Sequence, residues 1–361
     1  MDGVEPRIRE LLKACPTMPA TVIAERIGWS NSSRALSGRV AELRPVYLPP
    51  DPAGRTSYVA GEIGQHDFWF PDIRLPVGCG QTRTATQLPV LTMITGYSRW
   101  LSGVLIPTRT AHDLFTGWWG HLQGLGAVPR VLVWDGEGAV GRRRGGRSEL
   151  TEACHGFRGT LGAKVLICKP RDPEAKGLIE RSHDLERAFL PGRTFASPAD
   201  FNTQLAAWLA VINQRRRQAL GCAPVDRITA DKQAMLALPP VAPVRGWRET
   251  TRLARDHYVR LDSNDYSVHP GVIGRRVEVT ADLVRVRAHC DGQLVADHER
   301  LWAKHQTVSA PEHVAAAREL RREHIGLLRP ARDLEVEVRC LADYDTALGL
   351  DDIVDDQGGV A

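Results

Sequence analysis

Two proline-rich breaks constrain this chain more than any other feature. The first lies in residues 45–61, where Pro49, Pro50 and Pro52 crowd toward Gly54, and the second is Leu238-Pro239-Pro240-Val241-Ala242-Pro243. Proline fixes φ and lacks an amide proton, so neither a helix interior nor a central strand runs through such a stretch. Across the second break the apolar period changes from helical to strand-like. The chain is therefore expected to divide into units of different architecture, and 361 residues with 43% hydrophobic content suffice for two or three domains.

Residues 1–44 carry three short amphipathic runs, Arg7 to Ala14, Ala20 to Ile27 and Ser32 to Leu43, with Gly28-Trp29-Ser30-Asn31 between the second and third. That order predicts a helix-turn-helix unit, with Ala24 and Gly28 spaced to let two helices cross closely. Leu36, Val40 and Leu43 would face inward. Asn31, Ser33, Arg34, Ser37 and Arg39 would then be free to meet DNA. Gly38 inside the third helix costs about 1 kcal/mol relative to Ala. Residues 45–61 follow as a linker.

The stretch 62–215 holds the candidate chemistry. A short strand, His66-Asp67-Phe68-Trp69-Phe70, is followed by two more, Leu88 to Thr95 and Trp100 to Ile106. Thr110 and Asp113 suggest a capping box for a helix with Leu114, Phe115, Trp118, Leu122 and Leu125 on one face, ended by Gly126 and Pro129. A fourth strand, Arg130 to Trp134, runs into Asp135 and Gly136. Gly136 to Gly146 is Gly- and Arg-rich and is expected to be a mobile loop. A helix over 149–162 and a strand over Lys164 to Cys168 precede a Pro-containing loop, Asp172-Pro173-Glu174-Ala175-Lys176-Gly177, which passes into a helix bearing Glu180. Leu178, Leu185 and Phe189 would face the core from that helix. Two strands and one helix thus each offer an acid, in the order Asp67, Asp135, Glu180. Taken singly, each is at least as readily a strand-end residue, a cap or a solvated surface acid. Asp72, Glu137, Glu174 and Asp184 stand as neighbouring rivals, and His183 is most simply an exposed helix histidine.

Three segments then resemble a known family. Gln65-His66-Asp67-Phe68-Trp69, Val133-Trp134-Asp135-Gly136-Glu137-Gly138 and Lys176-Gly177-Leu178-Ile179-Glu180-Arg181 resemble the acid motifs of the DDE transposase and retroviral integrase superfamily, and within it the IstA-type insertion-sequence transposases. Asn264-Asp265-Tyr266-Ser267-Val268 extends the resemblance into the C-terminal part. It implies a multidomain α+β protein: an N-terminal helix-turn-helix, a ribonuclease H-like α/β core with a mixed five-stranded sheet over 62–215, a helical segment and linker over 216–246, and a small β-barrel over 247–309. In that core the first three strands form an antiparallel meander, and the first and fourth lie side by side and parallel. The implied activity is metal-dependent DNA cleavage and strand transfer at transposon ends. Asp67, Asp135 and Glu180 would hold two Mg2+ ions, for which Mn2+ substitutes. Implied partners are double-stranded DNA, further copies of the chain in a synaptic complex, and an AAA+ helper ATPase. The alternative is a catalytically inactive, transposase-derived DNA-binding regulator. Gly136 stands where the superfamily commonly has Asn, and the His and Cys zinc module of many integrases is replaced by the three N-terminal helices.

Short alternating runs, Tyr258 to Leu261, Tyr266 to Val268, Arg276 to Val279, Leu283 to Ala288 and Gln293 to His298, fit the expected barrel, and Asp291-Gly292 is a hairpin signal. Residues 310–361 would be a helix and an acidic tail ending in Asp351-Asp352 and Asp355-Asp356. The net charge of +4 is modest, but arginines cluster: Arg142-Arg143-Arg144 with Arg147, Arg215-Arg216-Arg217, and Arg321-Arg322. With Lys176 and Arg181, these are candidates for phosphate contact. Seven scattered cysteines, an odd number without any C-x-x-C pair, argue against a disulfide framework. No signal-like start or membrane-length apolar run is present, so a cytoplasmic, nucleoid-associated protein is expected.

Overall fold

The computed structural model of the protein describes residues 3–48, 57–144, 146–168, 182–328, 344 and 346–348. Helices α1 (Glu5–Ala14), α2 (Ala20–Ile27) and α3 (Ser33–Tyr47) enclose Ile8, Leu12, Ile23, Ile27, Leu36, Val40 and Leu43. The periodicity had assigned the last three to the interior. Ser32 caps α3 by accepting a hydrogen bond from the Ala35 amide. Gly28 serves the turn rather than a close crossing: its φ is +67°, and a Cβ there would meet nothing within 4 Å. Pro45 lies inside α3 rather than in the linker. The Arg44 guanidinium, donating to the carbonyls of Pro16 and Met18, holds that end of the helix against the α1–α2 connection.

The central unit begins with β1 (Ile63–Trp69), a ribbon of β2 (Arg74–Gly78) and β3 (Gln81–Thr84), then β4 (Val90–Thr95), β5 (Leu101–Leu105) and α4 (Ala111–Leu125). It continues with β6 (Val131–Trp134), β7 (Gly141–Arg144), β8 (Arg147–Leu150), α5 (Glu152–Leu161), β9 (Lys164–Ile167), α6 (Ser182–Ala188), α7 (Pro198–Gln214) and α8 (Pro224–Ala234). Five strands form one mixed sheet in the order β5-β4-β1-β6-β9. β1, β4 and β5 pair antiparallel; β6 lies parallel to β1, and β9 parallel to β6. This is the expected mixed five-stranded sheet.

Every residue of β4 is buried, as befits a strand covered on both faces. On one face, Leu91, Met93, Leu132 and Trp134 pack with Leu114, Trp118 and Leu122 of α4 and Phe157 of α5. On the other, Trp69 and Val90 pack with Leu185, Phe189, Phe201 and Leu205 of the α6–α7 region. α4 ends as expected at Gly126, whose φ of +77° lets its amide reach the Leu122 and Gln123 carbonyls.

Two expectations are corrected here. The Arg-rich segment after Asp135 is not simply a loop: Arg142, Arg143 and Arg144 lie on β7, paired antiparallel with β8. The hairpin closes tightly because position 141 is glycine, with φ +155° and only 2.3 Å between an ideal Cβ and the Glu149 carbonyl oxygen. Thr110 also makes no capping hydrogen bond to α4. Asp113 is instead buried, accepting from the Thr108 hydroxyl at 2.6 Å and pairing with Arg300 at 2.6 and 3.1 Å.

The C-terminal strands are β10 (Trp247–Arg252), β11 (Tyr258–Leu261), β12 (Asn264–Ser267), β13 (Arg276–Ala281), β14 (Arg285–Cys290), β15 (Gln293–Glu299) and β16 (Thr307–Val308), followed by α9 (Pro311–Leu328). They do not close into the expected barrel. Among the described residues they form a four-stranded sheet, β10-β13-β14-β15, and a three-stranded one, β11-β12-β16, around a shared core of Val259, Tyr266, Val277, Val279 and Val286. Pro270 begins a single 3₁₀ turn between β12 and β13, where the chain passes from the three-stranded to the four-stranded sheet. Asp291 and Gly292, both at positive φ, make the expected hairpin turn.

Candidate active site

The parallel pairing of β1 and β6 determines the geometry. Its register runs Ile63 to Val131, Gly64 to Leu132, Gln65 to Val133 and His66 to Trp134. The next residue in each segment is an acid, Asp67 within β1 and Asp135 just past the end of β6. Two carboxylates remote in sequence are thus brought to adjacent strand ends, and both residues are half-buried.

Side chains alternate between faces along a strand. His66 and Trp134 point toward α4, where their rings stack 5.0 Å apart at 10° and both meet Trp118 edge-on at 4.9 Å. Asp67, and by the same alternation Asp135, belong to the opposite face. His66 is held neutral: burial, with a further push from His121, lowers its pKa to about 3, and burial lowers that of His121 to about 4. The stack is therefore an uncharged clamp one residue behind the acid pair.

Trp69, two residues beyond Asp67, shares its face. It packs against Phe189 and Phe201, each 6.3 Å away between ring centroids, and its indole N–H donates to Glu186 Oε2 at 2.6 Å. Glu186 Oε1 also accepts from the Asp72 amide at 3.3 Å. Helix α6 is thereby anchored to the acid-bearing face of β1. Glu180 immediately precedes α6 in the chain, but it lies outside the described residues, as do Glu174, Lys176 and Arg181. Among the described residues no group of three His, Cys, Asp or Glu could hold a metal ion.

The rivals are sorted by their partners. Glu137 is buried and paired with Arg109 at 2.6 Å, so its charge is compensated within the protein. Asp72 is exposed beyond the end of β1, and Asp184 and His183 lie on α6. Gly136 has φ +46° with open space where a Cβ would project. Gly and Asn are the residues that most readily take this left-handed conformation, which accounts for Gly at a position where the resembled superfamily commonly has Asn.

The basic candidates separate likewise. Asn31, Ser33, Arg34 and Ser37 are exposed along α3 and the turn before it. Arg39 is not free as expected: Glu5 holds it at 2.6 and 2.9 Å, and Glu42 at 2.7 Å. Arg143 is half-buried and donates to the Ile167 carbonyl at 3.2 Å, fastening the hairpin to β9. Arg142 is exposed with a loose 3.8 Å pairing to Glu149. Arg144 and Arg147 are exposed and directly opposite one another in the ladder. Arg215 and Arg216 are exposed after α7, while Arg217 is half-buried. Arg109 and Glu186 were missed by the sequence reading, because nothing local distinguishes them from surface charges. No helix among the described residues is long and apolar enough to cross a membrane.

Comparison with known proteins gives three similarities. Residues 238–310 match the family model described as "Mu transposase, C-terminal domain". A Sinorhizobium fredii protein, "Putative transposase y4bL/y4kJ/y4tB", is 24% identical over 271 residues, covering 73% of this chain and 52% of the relative. The chain thus spans about half the length of that curated relative. A solved structure, "Crystal structure of catalytic core domain of BIV integrase in crystal form I", aligns with a TM-score of 0.36 and 15% identity, over 48% of this chain and 97% of that one.

Proposed function

Since the chain belongs to the DDE transposase and integrase family, we propose that it is an insertion-sequence transposase, cleaving DNA at transposon ends and joining those ends to a target. The observation that carries this reading is the β1–β6 register, in which Asp67 and Asp135 directly follow the paired His66 and Trp134. The donor set fits magnesium, a hard cation that prefers carboxylate oxygens and retains several waters. Asp67, Asp135 and Glu180 would hold the metal, and when bound it supplies positive charge to the attacking and leaving oxygens of an in-line displacement.

The remaining work falls to the chain itself. The His66–Trp134 stack ties β1 to β6 one residue before the two acids, and Gly136 takes the left-handed backbone conformation just beyond Asp135. Glu186 anchors the helix into which the Glu180 segment runs. Arg144 and Arg147, like charges facing each other on a two-stranded ribbon, disfavour the bare hairpin and suit a phosphate lying across both. Asn31, Ser33, Arg34 and Ser37 offer one face of the N-terminal helices to DNA, while Arg39 contributes to helix packing. Assembly of several copies on two DNA ends and action with an AAA+ helper belong to the same proposal.

The test is strand transfer with Mg2+ from a pre-cleaved transposon-end duplex. The reading expects joined product from the unmodified protein and none from Asp67→Asn or Asp135→Asn, with duplex affinity unchanged. Binding without product from the unmodified protein would instead identify a DNA-binding regulator, and hydrolysis without joining a nuclease.

A further inference from the structure

A cavity of about 430 Å³ lies at the seam between the central unit and the C-terminal sheets. Its walls come from the β2–β3 ribbon, the β5–α4 connection and the turn after β15, with Gln81, Arg83, Thr108, Arg109, Trp302 and Lys304 among the lining residues. Three of these are cations, and no residue lining it is acidic. Arg83 is half-buried; its guanidinium lies 5.3 Å from the Trp302 ring centroid and donates to the carbonyls of Pro107 and Trp302 at 2.6 Å. Neither Arg83 nor Lys304 forms an ion pair with a carboxylate among the described residues. Burial disfavours the Arg83 charge, the Asp262 and Asp113 carboxylates favour it from a distance while Arg300 opposes it, and an anion seated in the cavity would give the guanidinium a direct partner.

The cavity is built rather than incidental. The Gln81 side chain donates to the Lys304 carbonyl at 2.8 Å and accepts from the Lys304 amide at 2.9 Å, fixing the turn that presents this lysine. Arg109 extends from the cavity toward the end of β1: its guanidinium lies over Phe68 at 5.3 Å and Phe70 at 5.4 Å, on the face of β1 opposite Asp67, and pairs with Glu137. Phe68 follows Asp67, and Glu137 lies two residues beyond Asp135.

We propose that this seam cavity binds the backbone phosphates of the DNA strand that leads to Asp67 and Asp135. The proposal rests on reading the chain as a transposase, and it adds the path of the substrate. A basic groove with an aromatic wall is the arrangement that follows a nucleic-acid backbone without reading its sequence.

Fluorescence anisotropy of the full chain with a short duplex, titrated at several salt concentrations, tests it. Lys304→Gln is the first variant, because Lys304 is exposed and its backbone bonds to Gln81 persist. Loss of one phosphate contact should weaken binding for duplexes of any sequence and reduce the slope of log K against log salt by about 0.9. A photo-reactive p-benzoylphenylalanine at position 82, on the cavity wall, should cross-link to the duplex. An unchanged slope together with no adduct overturns the proposal, and so does an adduct displaced by ATP with the DNA slope unaltered, which marks a free-nucleotide site. Asp67→Asn is run in parallel. If strand transfer survives that change, the active-site reading fails, whereas slope and adduct still decide the fate of the cavity on their own.

Discussion

Acid should loosen the acid-bearing strands through His66 before it protonates most carboxylates. Burial holds His66 and His121 neutral in the folded chain, with pKa values near 3 and 4, against 6.5 for an ordinary histidine. Above pH 6.5 both residues are neutral whether the chain is folded or unfolded, so they add no pH dependence. As the pH falls through 6.5 the unfolded chain takes up the protons and the folded chain does not. Each residue then costs about 1.4 kcal/mol of stability per pH unit. Between pH 7.5 and 5.5 the loss is about 1.4 kcal/mol for each, or roughly 3 kcal/mol for the pair. Urea unfolding followed by tryptophan fluorescence suits the measurement, since Trp118 and Trp134 are the stacking partners of His66. His257 and His313 are also lowered by burial and act in the same direction. The decisive quantity is therefore the difference between parent and His66→Phe, which preserves a ring between the two indoles. The variant should lose about 1.4 kcal/mol less than the parent over this interval. Equal pH dependence in the two proteins would refute the claim that His66 is held neutral.

Three further outcomes follow from the contacts. Asp113→Asn should destabilise the chain by about 3–5 kcal/mol in thermal or urea unfolding, because it strips the buried Arg300 of a carboxylate at 2.6 Å and leaves Asp262 as its one charged partner, beside the Asp282 carbonyl. Gly136→Asn should fold with little loss, whereas Gly136→Val should cost on the order of 1–2 kcal/mol, since space is open there but φ is +46°; equal stability of the two variants would contradict the backbone argument. Glu186→Ala should cost about 1.5–3 kcal/mol by removing the charged acceptor of the Trp69 indole, and should depress strand transfer more than duplex binding.

The sequence made the order of strands and helices in the central sheet legible, because each strand is an apolar run bounded by turn residues and α4 has a clean apolar face. The adjacency of the strands that carry or lead into Asp67 and Asp135 was legible for the same reason. Asp113 was misread, because a Thr-x-x-Asp pattern before a helix is the same whether the acid caps locally or meets an arginine brought from position 300 by the fold. Arg39 looked like a free recognition residue because Glu5 is distant in sequence and adjacent only after α1 packs on α3. The hairpin of β7 and β8 was hidden by composition: a Gly- and Arg-rich segment lacks the apolar alternation that marks a strand, and its pairing depends on Gly141 and on anchorage to β9. Closure of the C-terminal strands depended on ladder bonds that a local alternation pattern cannot report.

Two carboxylates at the ends of neighbouring strands repel each other, so their proximity has to be enforced by groups that carry no charge of the same sign. The residues around Asp67 and Asp135 meet that requirement from three directions. Behind them, a neutral imidazole and an indole stack across the strand pair, and the fully buried β4 supports β1 on its other edge. Beside them, Arg109 cancels the charge of Glu137, which would otherwise add a third negative group next to Asp135. On their own face, Glu186 is engaged by the Trp69 indole and the Asp72 amide. The two nearby acids with no place in the proposed chemistry are thus each engaged by donors within the protein.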